Sequence, residues 1–166
     1  MSSLPDSPAA NRFARMKIVL VFLLAAASAS AAGSIGSGCV LGNIFDAHKK
    51  IGGYVEYYDA KNFHDVHPQA SLYSGEGGFC YGCLGLRFQK DEGAFRYALS
   101  SNVGLFDVKG YNALGNPIEF LSYLTIEYSI SRHYAVGIGF GHISNAHLSS
   151  VNPGSEFVRL GLSRRL

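Results

Sequence analysis

His142 and Ser144 stand two residues apart at the end of an alternating apolar run, and Glu156 follows after a short polar loop. Hydroxyl, imidazole and carboxylate are the parts of a nucleophilic hydrolase. The imidazole takes the hydroxyl proton as the oxygen attacks, and the carboxylate fixes the ring's tautomer and stabilises its cation. Each residue alone has an ordinary alternative: an interfacial histidine, a strand-ending hydroxyl, a rim charge. What sets them apart is shared position. Residues i and i+2 of a strand share a face about 7 Å apart along the backbone, so the His142 ring can lean to within hydrogen-bonding reach of Ser144. The segment 145–155 reads as a loop with Pro153-Gly154 as its turn pair. Direct pairing across it puts Glu156 opposite Ser144 and diagonal to His142, with opposed Cβ atoms about 4.5–5.5 Å apart. The backbone N–H groups of Asn145 and Ala146, or the Asn145 amide, are the expected oxyanion donors.

These residues need strands to hold them, and the composition supplies strands. Twenty glycines, 11 Phe, 10 Tyr, no Trp and only 16% charged residues describe an all-β chain. Strands are expected over 40–46, 51–59, 70–76, 79–89, 94–106, 118–130, 133–144 and 156–165; eight is the smallest usual count for a transmembrane β-barrel. Alternation in the last three assigns the faces. Ile118, Phe120, Leu124, Ile126 and Tyr128 oppose Glu119, Thr125, Glu127 and Ser129. Tyr134, Val136, Ile138 and Phe140 oppose Ala135, Gly137, Gly139 and Gly141, while Val158, Leu160 and Leu162 oppose Arg159, Gly161 and Ser163. A face of small, polar and charged residues suits the filled interior of a narrow antiparallel membrane barrel, with the apolar face toward lipid. A lipocalin-like inversion of the two faces stays open on patterning alone. From Tyr134 to His142 is eight steps, about 26 Å of strand or about 20 Å of height at 40° tilt, most of an apolar band about 25 Å tall.

The N-terminal segment reads as an export signal: Arg12, Arg15 and Lys17 precede the apolar run Ile18 to Ala27, and small residues continue through Ala31. Met16 is an alternative start. Residues 32–166 then form a single barrel domain with 11 basic and 11 acidic residues, which removes the electrostatic case for nucleic acid. Cys80-x-x-Cys83 resembles a redox or half-zinc spacing, but GFCYGCLGLRF reads as a strand without a second ligand pair. His64-Asp65-Val66-His67 lacks a third metal ligand, and no Lys-Ser/Thr follows Gly75 to Gly78 as a phosphate cradle needs.

The segment His142-Ile143-Ser144-Asn145-Ala146, followed by Asn152-Pro153-Gly154-Ser155-Glu156, resembles the signature of the lipid A 3-O-deacylase family, the PagL-type outer-membrane enzymes. The match in motif covers the last 50 residues or so. The resemblance implies an eight-stranded barrel in the Gram-negative outer membrane, with His142 as base, Ser144 as nucleophile and Glu156 as orienting acid facing lipid. It implies supporting roles for Asn145, Asn152 and Phe120, no metal or organic cofactor, and lipid A (lipopolysaccharide) among the outer-membrane lipids as substrate. Hydrolysis at the 3-position would release a 3-hydroxyacyl chain. Two other readings stay open: a non-catalytic lipid-binding or structural barrel, and an esterase or phospholipase with the same triad. Monomer and homodimer are both open.

Overall fold

A chain whose apolar residues recur at every second position can bury one face and expose the other only as a strand. Once the strands close into a ring, every backbone N–H and C=O has a partner. The computed structural model describes residues 32–60, 63–107 and 114–166. It is a closed antiparallel barrel of eight strands, β1 Gly33–Gly42, β2 Lys50–Asp59, β3 Val66–Gly75, β4 Cys80–Glu92, β5 Phe95–Asp107, β6 Ile118–Ser129, β7 Tyr134–Ser144 and β8 Ser155–Arg165. Each strand pairs with the next, and β1 closes the ring on β8 from Ser34↔Arg165 to Gly42↔Phe157. The expected signal segment, residues 1–31, lies outside the described residues.

The two faces divide as the alternation requires, which excludes the inverted, soluble reading. Leu84, Leu86, Phe88, Leu99, Leu124, Ile138, Phe140 and Leu160 point outward, each about half exposed. Glu56, Gln69, Arg87, Glu119, Glu127 and Arg159 are buried inside. A protein in water would not show this inversion; in a bilayer the outward row meets hydrocarbon and the charges meet one another. At the end carrying both chain termini, Phe95 and Tyr128 pack ring to ring on the outside at 5.3 Å, with Tyr97 further along β5 and Tyr134 on β7, as in an aromatic girdle.

Inside, charge is matched except at Glu119, whose two carboxylate oxygens have no hydrogen-bond partner among the described residues. Arg159 lies across the lumen from β8 to β2 and holds both Glu56 oxygens at 2.5 and 2.9 Å, while Tyr123 donates to Glu56 at 2.9 Å. Nearer the terminal end, Arg87 donates to Glu127 at 2.7 Å, and Arg96 bridges Glu127 and Asp91. Toward the other end the lumen becomes apolar, with Val40, Tyr81, Leu121, Ile143 and Phe157 in one cluster.

Two strands differ from expectation. β1 runs over Gly33–Gly42 rather than 40–46, because GSIGSGCVLG carries too few large side chains to mark a face and reads as a continuation of the small-residue segment before it. β3 begins at Val66 and passes through Pro68, which lies beyond the last β2–β3 pair, Tyr58↔Gln69, so its missing N–H removes no rung from that ladder.

Candidate active site

β7 and β8 place the three candidate residues at the same end of the barrel. Lumen packing limits their register. On β7 the inward positions Gly139 and Gly141 face Arg159 and Phe157 on β8. A Cβ on Gly139 would come within 2.8 Å of Arg159 Cγ, and one on Gly141 within 2.5 Å of Phe157 Cζ. A two-residue slip in one direction would press Phe157 against Ile143, whereas the opposite slip would keep both large residues over glycines, so this packing bounds the register from one side.

This register sets His142 directly opposite Glu156, where the sequence expectation had Ser144. His142 Nδ1 and Glu156 Oε1 are 3.2 Å apart, on side chains 49% and 37% exposed on the outward face. With Nδ1 engaged, Nε2 is the nitrogen left to exchange a proton. Ser144 ends β7, opposite Phe120 of β6, and its hydroxyl makes no hydrogen bond among the described residues. The structure therefore brings His142 and Glu156 together and leaves Ser144 on the same edge of β7, unengaged.

The loop after Ser144 is fastened from within. Asn145 is fully buried; its amide donates to Leu114 O at 2.7 Å and Val151 O at 2.8 Å, and its backbone N–H donates to Asn152 Oδ1 at 3.0 Å. The expected oxyanion donors on Asn145 are thus already committed, whereas the Ala146 N–H has no partner among the described residues. Ala146 and His147 both take left-handed backbone, at φ 51° and 63°, a conformation that L side chains adopt only under restraint from their surroundings.

Two contacts were not legible beforehand. Gly154, at φ 64°, lies against the imidazole: a Cβ there would fall 2.7 Å from His142 Cε1. The Pro-Gly pair marked a turn, but nothing in it pointed to the ring. Asn43, in the β1–β2 loop, donates its N–H to Ser155 Oγ at 3.2 Å, and the Ser155 hydroxyl donates back to Asn43 Oδ1 at 2.5 Å, which ties that loop to the strand bearing Glu156. These partners are 112 residues apart.

Elsewhere, Cys80 and Cys83 stand on opposite faces of β4, outward and inward, so the C-x-x-C spacing cannot close a disulfide. His67 turns inward, its Nδ1 2.7 Å from Asp59 O, while His64 is exposed. Residues Glu76–Gly78 form a tight turn whose Glu76 carboxylate accepts the Ile51 N–H.

Fold and site together describe a small outer-membrane β-barrel with a His–Glu pair on its lipid-facing rim. The family model described as lipid A 3-O-deacylase (PagL) matches residues 44–165, and the chain belongs to that family. Among solved structures, the outer membrane enzyme PagL is 17% identical with a TM-score of 0.55, the alignment covering 80% of this chain and 98% of that one. Neisserial surface protein A is 10% identical at 0.59, covering 82% and 100%, and the N-terminal barrel of Pseudomonas aeruginosa OprF is 12% identical at 0.57, covering 81% and 99%. At these identities the likenesses speak for the barrel alone. No curated protein is detectably similar in sequence.

Proposed function

We propose that the protein is an outer-membrane serine esterase that hydrolyses the ester at the 3-position of lipid A and releases a 3-hydroxyacyl chain. The observation that carries this reading is the His142–Glu156 pair, 3.2 Å apart on the lipid-facing side, with Ser144 on the same strand edge. An imidazole held by a carboxylate has no structural task on a surface that faces hydrocarbon. It has one if an ester must be cleaved there.

In this mechanism Ser144 Oγ attacks the ester carbonyl carbon while its proton passes to His142 Nε2, and Glu156 steadies the imidazolium through Nδ1–H. The imidazolium then protonates the departing sugar oxygen, leaving the acyl group on Ser144. Water attacks that carbonyl next, giving its proton to His142, and the serine regains a proton as the fatty acid leaves. The Ala146 N–H is the donor assigned to the oxyanion, because those of Asn145 hold the loop. Asn145 and Asn152 act as supports for this turn, and Phe120, opposite Ser144, forms part of the lipid-side wall. No metal or organic cofactor enters these steps.

Residues 1–31 act as the export signal in this reading. The two ten-residue connections after β5 and β7, both at the site end, support an orientation with the site at the outer surface, where lipid A esters lie. All three proposed catalytic residues belong to one chain, so activity needs no homodimer. Mass spectrometry of lipid A from cells producing the protein tests the proposal: loss of one hydroxyacyl chain is expected. An unchanged spectrum from folded, membrane-inserted protein would overturn it and leave a non-catalytic barrel.

A further inference from the structure

The outer half of the lumen holds a cavity of about 210 Å³ that opens among the loops. Roughly 10–15 Å³ measured in this way holds one water, so there is room for a chain of several methylene groups. Its walls are apolar and include Val40, Phe106, Leu121, Ile143 and Phe157. Below, Tyr73 accepts from Arg159, and the Arg159–Glu56 layer closes the floor, which makes this a blind pocket rather than a channel. Walls of this kind do not order water; they take hydrocarbon.

The mouth is polar and specific. Lys50 borders it at the start of β2, partly buried, and makes no ion pair among the described residues. Asp46 borders it from the β1–β2 loop, with Asn43 beside it in the same loop. A ligand with an apolar chain, a carboxylate for Lys50 and a hydroxyl for Asp46 would match the walls and the mouth. Gly154 and Ser155 form one wall, and Gly154 is the residue lying against the His142 ring. One residue's thickness therefore separates the outward-facing imidazole from the inward-facing cavity.

We propose that this cavity is a second binding site, for a single-chain carboxylic acid whose chain enters the lumen and whose head pairs with Lys50. The occupant is the 3-hydroxy fatty acid released at the neighbouring rim, held in the barrel after cleavage instead of returning to the bilayer. The identity of the acid rests on the deacylase reading; the cavity, its walls and its cation do not.

The test uses the Ser144→Ala protein in phospholipid nanodiscs, so that binding is read without hydrolysis. The probe is decanoic acid bearing a terminal diazirine, photolysed and mapped by peptide mass spectrometry. Saturable labelling of Phe79, Tyr81 or Phe106, competed by unlabelled 3-hydroxydecanoate, is expected. Lys50→Gln should weaken competition by the carboxylic acid several-fold and leave competition by decanol unchanged. Val40→Phe, which fills the cavity, should abolish lumenal labelling. Where Val40→Phe fails to fold, judged by heat-modifiable gel mobility, the Lys50→Gln comparison decides alone. Labelling confined to lipid-facing residues such as Phe120 and Phe140, or equal effects of Lys50→Gln on acid and alcohol, overturns the proposal. Because the lipid A spectrum of the unmutated protein is a separate measurement, failure of the deacylase reading is distinguishable from failure of this one.

Discussion

His142 meets Glu156 through Nδ1 and has Gly154 against its ring, so both the tautomer and the tilt of the imidazole are set by β8 and the loop before it. Unequal consequences follow for the three proposed catalytic residues. Ser144→Ala and His142→Ala each delete the covalent route; either should lower the deacylation rate by about 10³-fold or more, with little further loss in the double variant. Glu156→Gln still offers Nδ1 an acceptor but cannot balance the imidazolium, and its loss should be about 10²-fold smaller than that of Ser144→Ala. Initial rates on purified lipid A check all three, and wild-type activity in folded Ser144→Ala protein would remove Ser144 from the mechanism. Gly154→Ala tests the fourth contact. Its left-handed φ carries a backbone penalty of about 1–2 kcal/mol for any L residue, and the new methyl must push the ring aside. The expected result is a fall in kcat with KM little changed, because the substrate surface stays while the base moves.

At the scale of the strand, legibility tracked the size of the side chains. β6, β7 and β8 alternate large apolar with small or charged residues, so the sequence shows both their limits and their faces, including the outward position of His142 and Glu156. β1 has four glycines in ten residues and no such contrast, and its position was misjudged by several residues. Register was harder still. Loop length alone leaves several pairings of β7 with β8 open, and one of them is removed because Phe157 seats over Gly141 and would clash with Ile143. That pattern was present in the sequence, but only the closed lumen shows that those side chains compete for the same space. The Asn43–Ser155 clasp lay beyond reach, since nothing local marks two residues so far apart as partners. Ser155→Ala should break it at a stability loss of about 1 kcal/mol, and speed amide exchange at Asn43 and Ile44 without affecting exchange in the β6–β7 ladder. Uniform exchange changes around the barrel would show that the clasp is not local.

For the whole molecule, the lipid-facing surface contributes little that distinguishes one narrow barrel from another, so the folded state depends on what fills the lumen. The largest single element is the Arg159–Glu56 pair, with both side chains almost wholly buried and every charged oxygen of Glu56 engaged by Arg159 or Tyr123. Arg159 also stacks on the Tyr54 ring at 3.8 Å, so it joins β8 to β2 across the barrel by packing as well as by charge. Removing one partner leaves an uncompensated charge in the lumen, and Arg159→Met should lower unfolding free energy by about 3–5 kcal/mol. Removing both charges lifts that penalty. Glu56→Gln combined with Arg159→Met should recover most of the loss, because a matched buried pair and a matched neutral pair differ far less than either does from a lone buried charge. Urea unfolding in lipid vesicles, followed by tyrosine fluorescence, measures both variants, and a double variant no more stable than Arg159→Met would show that packing on Tyr54, rather than charge balance, is what Arg159 contributes. In either variant the His142–Glu156 pair sits outside the lumen on the opposite face of the same strands, so specific activity per folded barrel should stay close to wild type even where the folded fraction falls.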